Sequence, residues 1–233
     1  MLEGKLTLKN AVFVALFLAA GVVAARINFS QLLGSPNQFF TLFQFFAPIA
    51  GAFLGSVVGP AVVLATQAVD FLFFGKEATL LNVGRVLPLA FAAWYFAGGA
   101  NARKVAGVPL TALVPFAAIV LFLLHPVGGQ AWFFPAVFWT IPVAVALFAG
   151  GNLLARSLGA TLTAHAVGGV VWIYSLPTTP AFWAGLVPIV AYERLLFAAG
   201  IAVSYVAFNA VLSRLPVSGI VKVNRQLPFA AAA

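Results

Sequence analysis

The chain has 233 residues, of which 64% are hydrophobic and 7% charged, with twelve basic residues against four acidic ones, a net charge of +8 and no cysteine. A soluble domain runs at about 25% charged, so this composition excludes one. The missing cysteines exclude disulfides and thiolate sites, and the missing G-x-x-x-x-G-K loop excludes nucleotide hydrolysis by the chain itself.

The repeated apolar runs predict an all-α polytopic integral membrane protein, since about 20 apolar residues cross a bilayer as a helix. About eight transmembrane helices are expected, with six to eight as the range, in one transmembrane domain over residues 1–212. A basic tail follows at residues 213–233. The basic residues gather at helix ends, which fits membrane orientation and not a nucleic-acid partner.

Residues 1–10 form a short amphipathic lead-in with Glu3, Lys5 and Lys9. The first span is expected over residues 11–25. It has no convincing cleavage site, so it reads as a retained helix and not as a signal peptide. Ala11, Ala15 and Ala19 repeat at spacing four. Small residues so spaced let helices approach closely in lipid, either inside the chain's own bundle or against a partner. Residues 26–38 then interrupt the apolar pattern, and Gly34, Ser35, Pro36 and Asn37 make them a loop.

Residues 39–75 contain a single charge, Asp70. Gly51, Gly55 and Gly59, followed by Pro60, predict a hairpin. One span runs over residues 39–55, the turn over 56–59, and the return span over 60–74, because Pro is tolerated at a helix start. Thr66, Gln67 and Asp70 share one face of the return helix. An acid on a polar membrane face reads as a site.

The pattern P-I-A-G-x-x-x-G-x-x-x-G-P, followed by a polar residue and Asp, resembles the second and third membrane helices of the substrate-binding (S) components of energy-coupling factor transporters. These small membrane proteins capture vitamins, nucleobase-like compounds or metal ions for an ATP-driven complex. The resemblance implies that Ala15 and Ala19, with Ala11 less firmly, dock the membrane-embedded coupling protein, which works with ATPase subunits. It also implies that the loop after the first helix covers the substrate. That family usually has six membrane helices.

Span four is expected over residues 79–98, with Asn82 and Arg85 on one face. An intramembrane Arg costs about 2.5–3.5 kcal/mol at a helix centre unless it is paired or wet. Asp70 at a similar depth is either its partner or, with it, part of a ligand site. Span five is expected over residues 109–124 and span six over 131–149, where Trp132 reads as an interface anchor. In span seven, residues 158–176, Thr161, His165, Gly168 and Trp172 fall on one face, as a cavity wall or a close packing surface. Span eight, residues 182–212, has Pro188 near its start, where a kink is expected. Glu193 and Arg194 lie deep in it. Neighbours in sequence point about 100° apart on a helix, so each is expected to have its own partner, with His165 the candidate for Glu193.

With both termini cytoplasmic, eight basic residues lie inside (Lys5, Lys9, Arg103, Lys104, Arg156, Arg214, Lys222, Arg225) and two outside (Arg26, Lys76). The expected function is substrate capture by a multi-pass plasma-membrane component of an energy-coupling factor importer. Its ligand would be a small, vitamin-like nutrient met from outside. The expected ligand residues are Asp70, Asn82, Arg85, His165, Trp172 and Glu193, with no metal and no cofactor. Two alternatives stand. One is a non-catalytic subunit of a larger membrane complex. The other is a proton-coupled carrier using His165 and Glu193 as a relay. An enzyme is not expected, because no H-E-x-x-H motif or nucleophile set is present.

Overall fold

The structure is a computed structural model and describes residues 8–33, 39–73, 77–99, 102–214 and 221–223, without the side chains of residues 8–10 and 70. It is a helical bundle with two short hairpins. Helix α1 spans Leu8–Ala25. Strands β1 (Asn28–Gln31) and β2 (Phe39–Thr41) pair antiparallel and lead into a 3-10 turn over Leu42–Phe45. Then come α2 (Ile49–Phe73), α3 (Leu80–Gly84) and α4 (Leu87–Gly98). A second hairpin, β3 (Lys104–Val105) with β4 (Val108–Pro109), precedes α5 (Leu110–Leu124). The rest is α6 (Pro126–Gln130), α7 (Phe133–Phe138), α8 (Thr140–Phe148), α9 (Leu153–Ser175) and α10 (Pro180–Ser213).

Among the described residues, three stretches are long and apolar enough to cross a membrane: Ile49–Phe73, Leu80–Gly98 and Pro180–Ser213. Shorter apolar helices cover Ala11–Ala25, Leu110–Leu124 and Phe133–Phe148. Helix α9 is the least apolar of the long helices, because it carries Thr161, Thr163 and His165.

The expected span over residues 39–55 is not a continuous helix. It divides into β2, the 3-10 turn and the short helical piece of residues 49–54. The reversal falls at Gly55 itself, not over residues 56–59. Gly55 has φ +80°, a conformation that costs side-chain-bearing residues energy. Gly59 already belongs to the returning helix. A Cβ on it would lie 2.6 Å from the Ala50 carbonyl oxygen, so this glycine allows the two arms to touch. Pro60 sits shortly after the helix restarts, where a missing N–H is least costly.

Two more expected spans are broken, each for a proline reason. The stretch 79–98 divides at Arg85 and Val86, because Pro88 has no N–H to offer the carbonyl four residues back. The stretch 131–149 divides at Trp139, four residues after Pro135 and three before Pro142. Pro188, in contrast, is accommodated within a continuous α10. Helix α9 starts before the expected residue 158, at Leu153, because the Asn152 side chain caps it by accepting from Ala155 N–H at 3.0 Å.

Helices α4 and α9 form the centre. α4 packs between α2 and α9, and α9 also meets α5, α8 and α10. One core cluster joins α1, α2, α4 and the second half of α10, with Phe17, Phe43, Phe53 and Phe96 buried. The other joins α5, α7, α9 and the first half of α10 through Phe122, Phe134, Trp139 and Trp183. From the tail, Val221 is buried and Lys222 N–H donates to the Phe53 carbonyl at 2.7 Å, so this part folds back onto the bundle.

Candidate functional site

The site forms where the 28–41 hairpin meets the helices that end or begin beside it. α10 supplies its central polar group. Glu193 and Arg194 are both buried, and they pair with each other at 3.3 Å. The expectation that the two do not meet is therefore wrong, although each also has a partner of its own. Long side chains can curl toward one another from adjacent positions, and burial makes an unpaired charge costly. The other Glu193 oxygen accepts from Ser30 Oγ at 2.9 Å, which ties β1 to α10. Arg194 donates to Thr161 Oγ1 at 3.4 Å and lies over the rings of Phe40 and Phe197, 4.6 and 4.8 Å from their centroids. Its Nε is buried with no hydrogen-bond partner among the described residues.

α9 supplies the facing wall. His165 does not bond Glu193. Its Nδ1 accepts from Trp139 Nε1 at 3.1 Å, and its ring packs among Phe134, Phe138 and Trp139. The indole N–H can only donate, so the nitrogen it meets is unprotonated. The neutral imidazole then carries its proton on Nε2.

These groups enclose a partly open cavity of about 140 Å³. Of the six residues expected to bind substrate, Arg85, His165, Trp172 and Glu193 line it. Asn82 lines a smaller adjoining cavity of about 60 Å³, and Gln44, Gln67, Arg85 and Leu89 border both. Asp70's side chain lies outside the described residues, so the expected Asp70–Arg85 pair is not placed. Arg85 donates to the Phe39 carbonyl at 3.0 Å, holding β2. Asn82 donates to the Glu77 carbonyl at 3.1 Å.

The α9 stripe divides by role. His165, Gly168 and Trp172 face the cavity, while Thr161 serves Arg194. Gly169 lines the cavity too and packs under Trp139. Thr66 does not share the site with Gln67. It is buried against Gly21 of α1 and donates to its own helix at Val62. Gln31, Gln44 and Arg194 are cavity residues that the expected set lacks. Arg194 was legible as a deep charge, but Gln31 and Gln44 sit in irregular chain with no periodicity to point them inward.

On α1 the inward face is Phe17, Gly21 and Ala24, while Ala15 and Ala19 face outward beside Val12 and Leu16. Packing inside the chain's own bundle is therefore not what these two alanines do. Among the described residues no cluster of three metal-ligating side chains occurs. No known protein family, characterised protein or solved structure matches the chain.

Proposed function

We propose that the chain is a substrate-capture protein of the plasma membrane that takes up a small water-soluble compound from outside and delivers it to a separate ATP-driven partner. Its hairpin motif resembles that of energy-coupling factor S components. The observation that carries the reading is the buried Glu193–Arg194 pair in the wall of a cavity, with Arg194 Nε left without a partner there. A buried donor without an acceptor calls for a reason, and a ligand or water in the cavity supplies one. The cavity also lies at the end away from Arg103, Lys104, Arg156 and Arg214, the side predicted to face out.

The proton-relay alternative draws no support from a direct contact, because His165 and Glu193 each bond other groups. The structural-subunit alternative draws on the same bonds, since Glu193 and Arg85 both hold the hairpin.

Purification in mild detergent, with mass spectrometry of co-purifying proteins and small molecules, separates these readings. Capture predicts a bound metabolite lost in Arg194→Lys, and a coupling protein with ATPase subunits lost in Ala19→Trp. An unrelated complex at fixed stoichiometry with no metabolite would favour the structural subunit and reject capture.

A further inference from the structure

The size, walls and charge of the cavity narrow what it takes. This step rests on the capture reading and deepens it. A cavity of about 150 Å³ holds one benzene molecule, so the observed 140 Å³ suits a single ring. The adjoining 60 Å³ leaves room for one small substituent beyond Gln44, Gln67 and Arg85. Phe40, Trp172, Phe182 and Trp183 line the larger space, which favours a flat ring that can stack or meet an edge.

The polar edge has a distinct chemistry. Gln31, Gln44 and Gln67 each present an amide, which offers two N–H donors and a carbonyl acceptor side by side. His165, bonded by Trp139 through Nδ1, has only Nε2–H left to offer, and that is a donor. Amide groups match a ligand whose own edge sets N–H beside C=O.

Charge sets the last limit. Among the described side chains, Glu193 is the one acid that lines the cavity, and it is already matched by Arg194. Arg85 lines the cavity as well, so two arginines stand against that one carboxylate among the described side chains. The described lining therefore carries no excess negative charge to draw in a cation.

We infer that the ligand is a single-ring nitrogen heterocycle with amide-type edges, uncharged or carrying one carboxylate. The ring sits among the aromatics and the substituent points past Arg85.

The test uses the full chain in lipid nanodiscs. Uracil, orotate, nicotinamide and nicotinate are compared with the 1-methylnicotinamide cation and the fused-ring adenine, by equilibrium dialysis and by quenching of tryptophan fluorescence. At least one of the first four is expected to bind saturably, and the cation and adenine about tenfold more weakly or not at all. Gln67→Leu should weaken binding about tenfold, while Gln67→Glu should weaken an anionic ligand more than an uncharged one. Thermal unfolding of both variants guards against misfolding. Failure of all four, or recovery of a cationic, aliphatic or multi-ring molecule from the purified protein, would overturn the inference. A co-purifying coupling protein and ATPase in that case would leave the capture reading standing. Their absence together with any bound molecule would remove both.

Discussion

Arg156 and Arg194 solve the same problem in different surroundings. Each lays its guanidinium on two aromatic rings: Phe96 at 4.3 Å and Tyr205 at 5.6 Å for Arg156, Phe40 and Phe197 for Arg194. Each keeps a buried Nε without a partner. Arg156, at the start of α9, lies outside both cavities, and no ion pair to a carboxylate is found for it among the described residues. Arg194 has Glu193 beside it and lines the larger cavity. An aromatic bed helps to hold the half-buried Arg156, since a desolvated cation over a ring gains about 2 kcal/mol, whereas the fully buried Arg194 has a counter-charge as well. The ion pair with Glu193 and the cavity beside it set the Arg194 end apart from the Arg156 end.

The largest effect should come from breaking the ion pair. Glu193→Leu leaves Arg194 buried and uncompensated, which costs about 3–5 kcal/mol. Chemical unfolding in mixed micelles should show that loss. Replacing both partners, as in Glu193→Gln with Arg194→Gln, should recover much of the stability but no ligand binding. A double variant that loses the sum of the two single losses would mean that the pair carries no coupling, and the contrast with Arg156 would fall.

Next is the hairpin that holds the cavity's Gln67 in place. A Cβ on Gly51 would fall inside the Ala93 carbonyl of α4. Gly51→Ala should therefore force α2 and α4 apart at a cost of about 1–3 kcal/mol, read by the unfolding midpoint. A neutral result would show that the two helices can slide, and that the Gly51–Gly59 ladder is not what sets their spacing.

Arg156→Lys comes third and sharpens the comparison most directly. Lysine keeps the charge but loses the planar stack on Phe96 and Tyr205, so a cost of about 1 kcal/mol is expected. Ligand affinity should not change, because Arg156 does not touch the cavity. Arg194→Lys should lose affinity about tenfold or more, since the fork to Glu193 and Thr161 is lost as well. If both variants bind alike, the two arginines do not differ in role.

Much of this layout was legible before the fold. Long apolar runs, the glycine–proline reversal and the α9 stripe all follow from spacing, and periodicity survives wherever a helix is regular. What spacing misjudged was the irregular chain. Residues 39–48 read as membrane helix because they are apolar, yet they form β2 and a 3-10 turn against the middle and second half of α10. Hydropathy reports burial, not conformation. Pro88 and Pro142 were visible, but their breaks were hidden inside apolar runs of the right length. The Glu193–Arg194 pair was missed because ideal helix geometry directs backbone bonds, not the ends of long side chains. The Trp139–His165 bond joins two separate helices, and nothing local to either one announces it.

The smallest effect on the fold should come from α1, where the comparison turns from two ends of the bundle to its inside and outside. Phe17 is buried on the inner face, whereas Ala15 and Ala19 face outward with Val12, Leu16 and Val23. Outward substitutions away from special features usually change stability by no more than about 0.5 kcal/mol. Ala15→Leu and Ala19→Leu should therefore unfold like the parent and bind ligand equally well. Small residues matter on such a face only when another helix comes close, where each added side chain holds the backbones apart. Uptake of labelled ligand by whole cells should accordingly fall while binding to the purified protein holds. Unchanged uptake would show that this face meets only lipid, and the coupling partner would have to be sought elsewhere on the bundle.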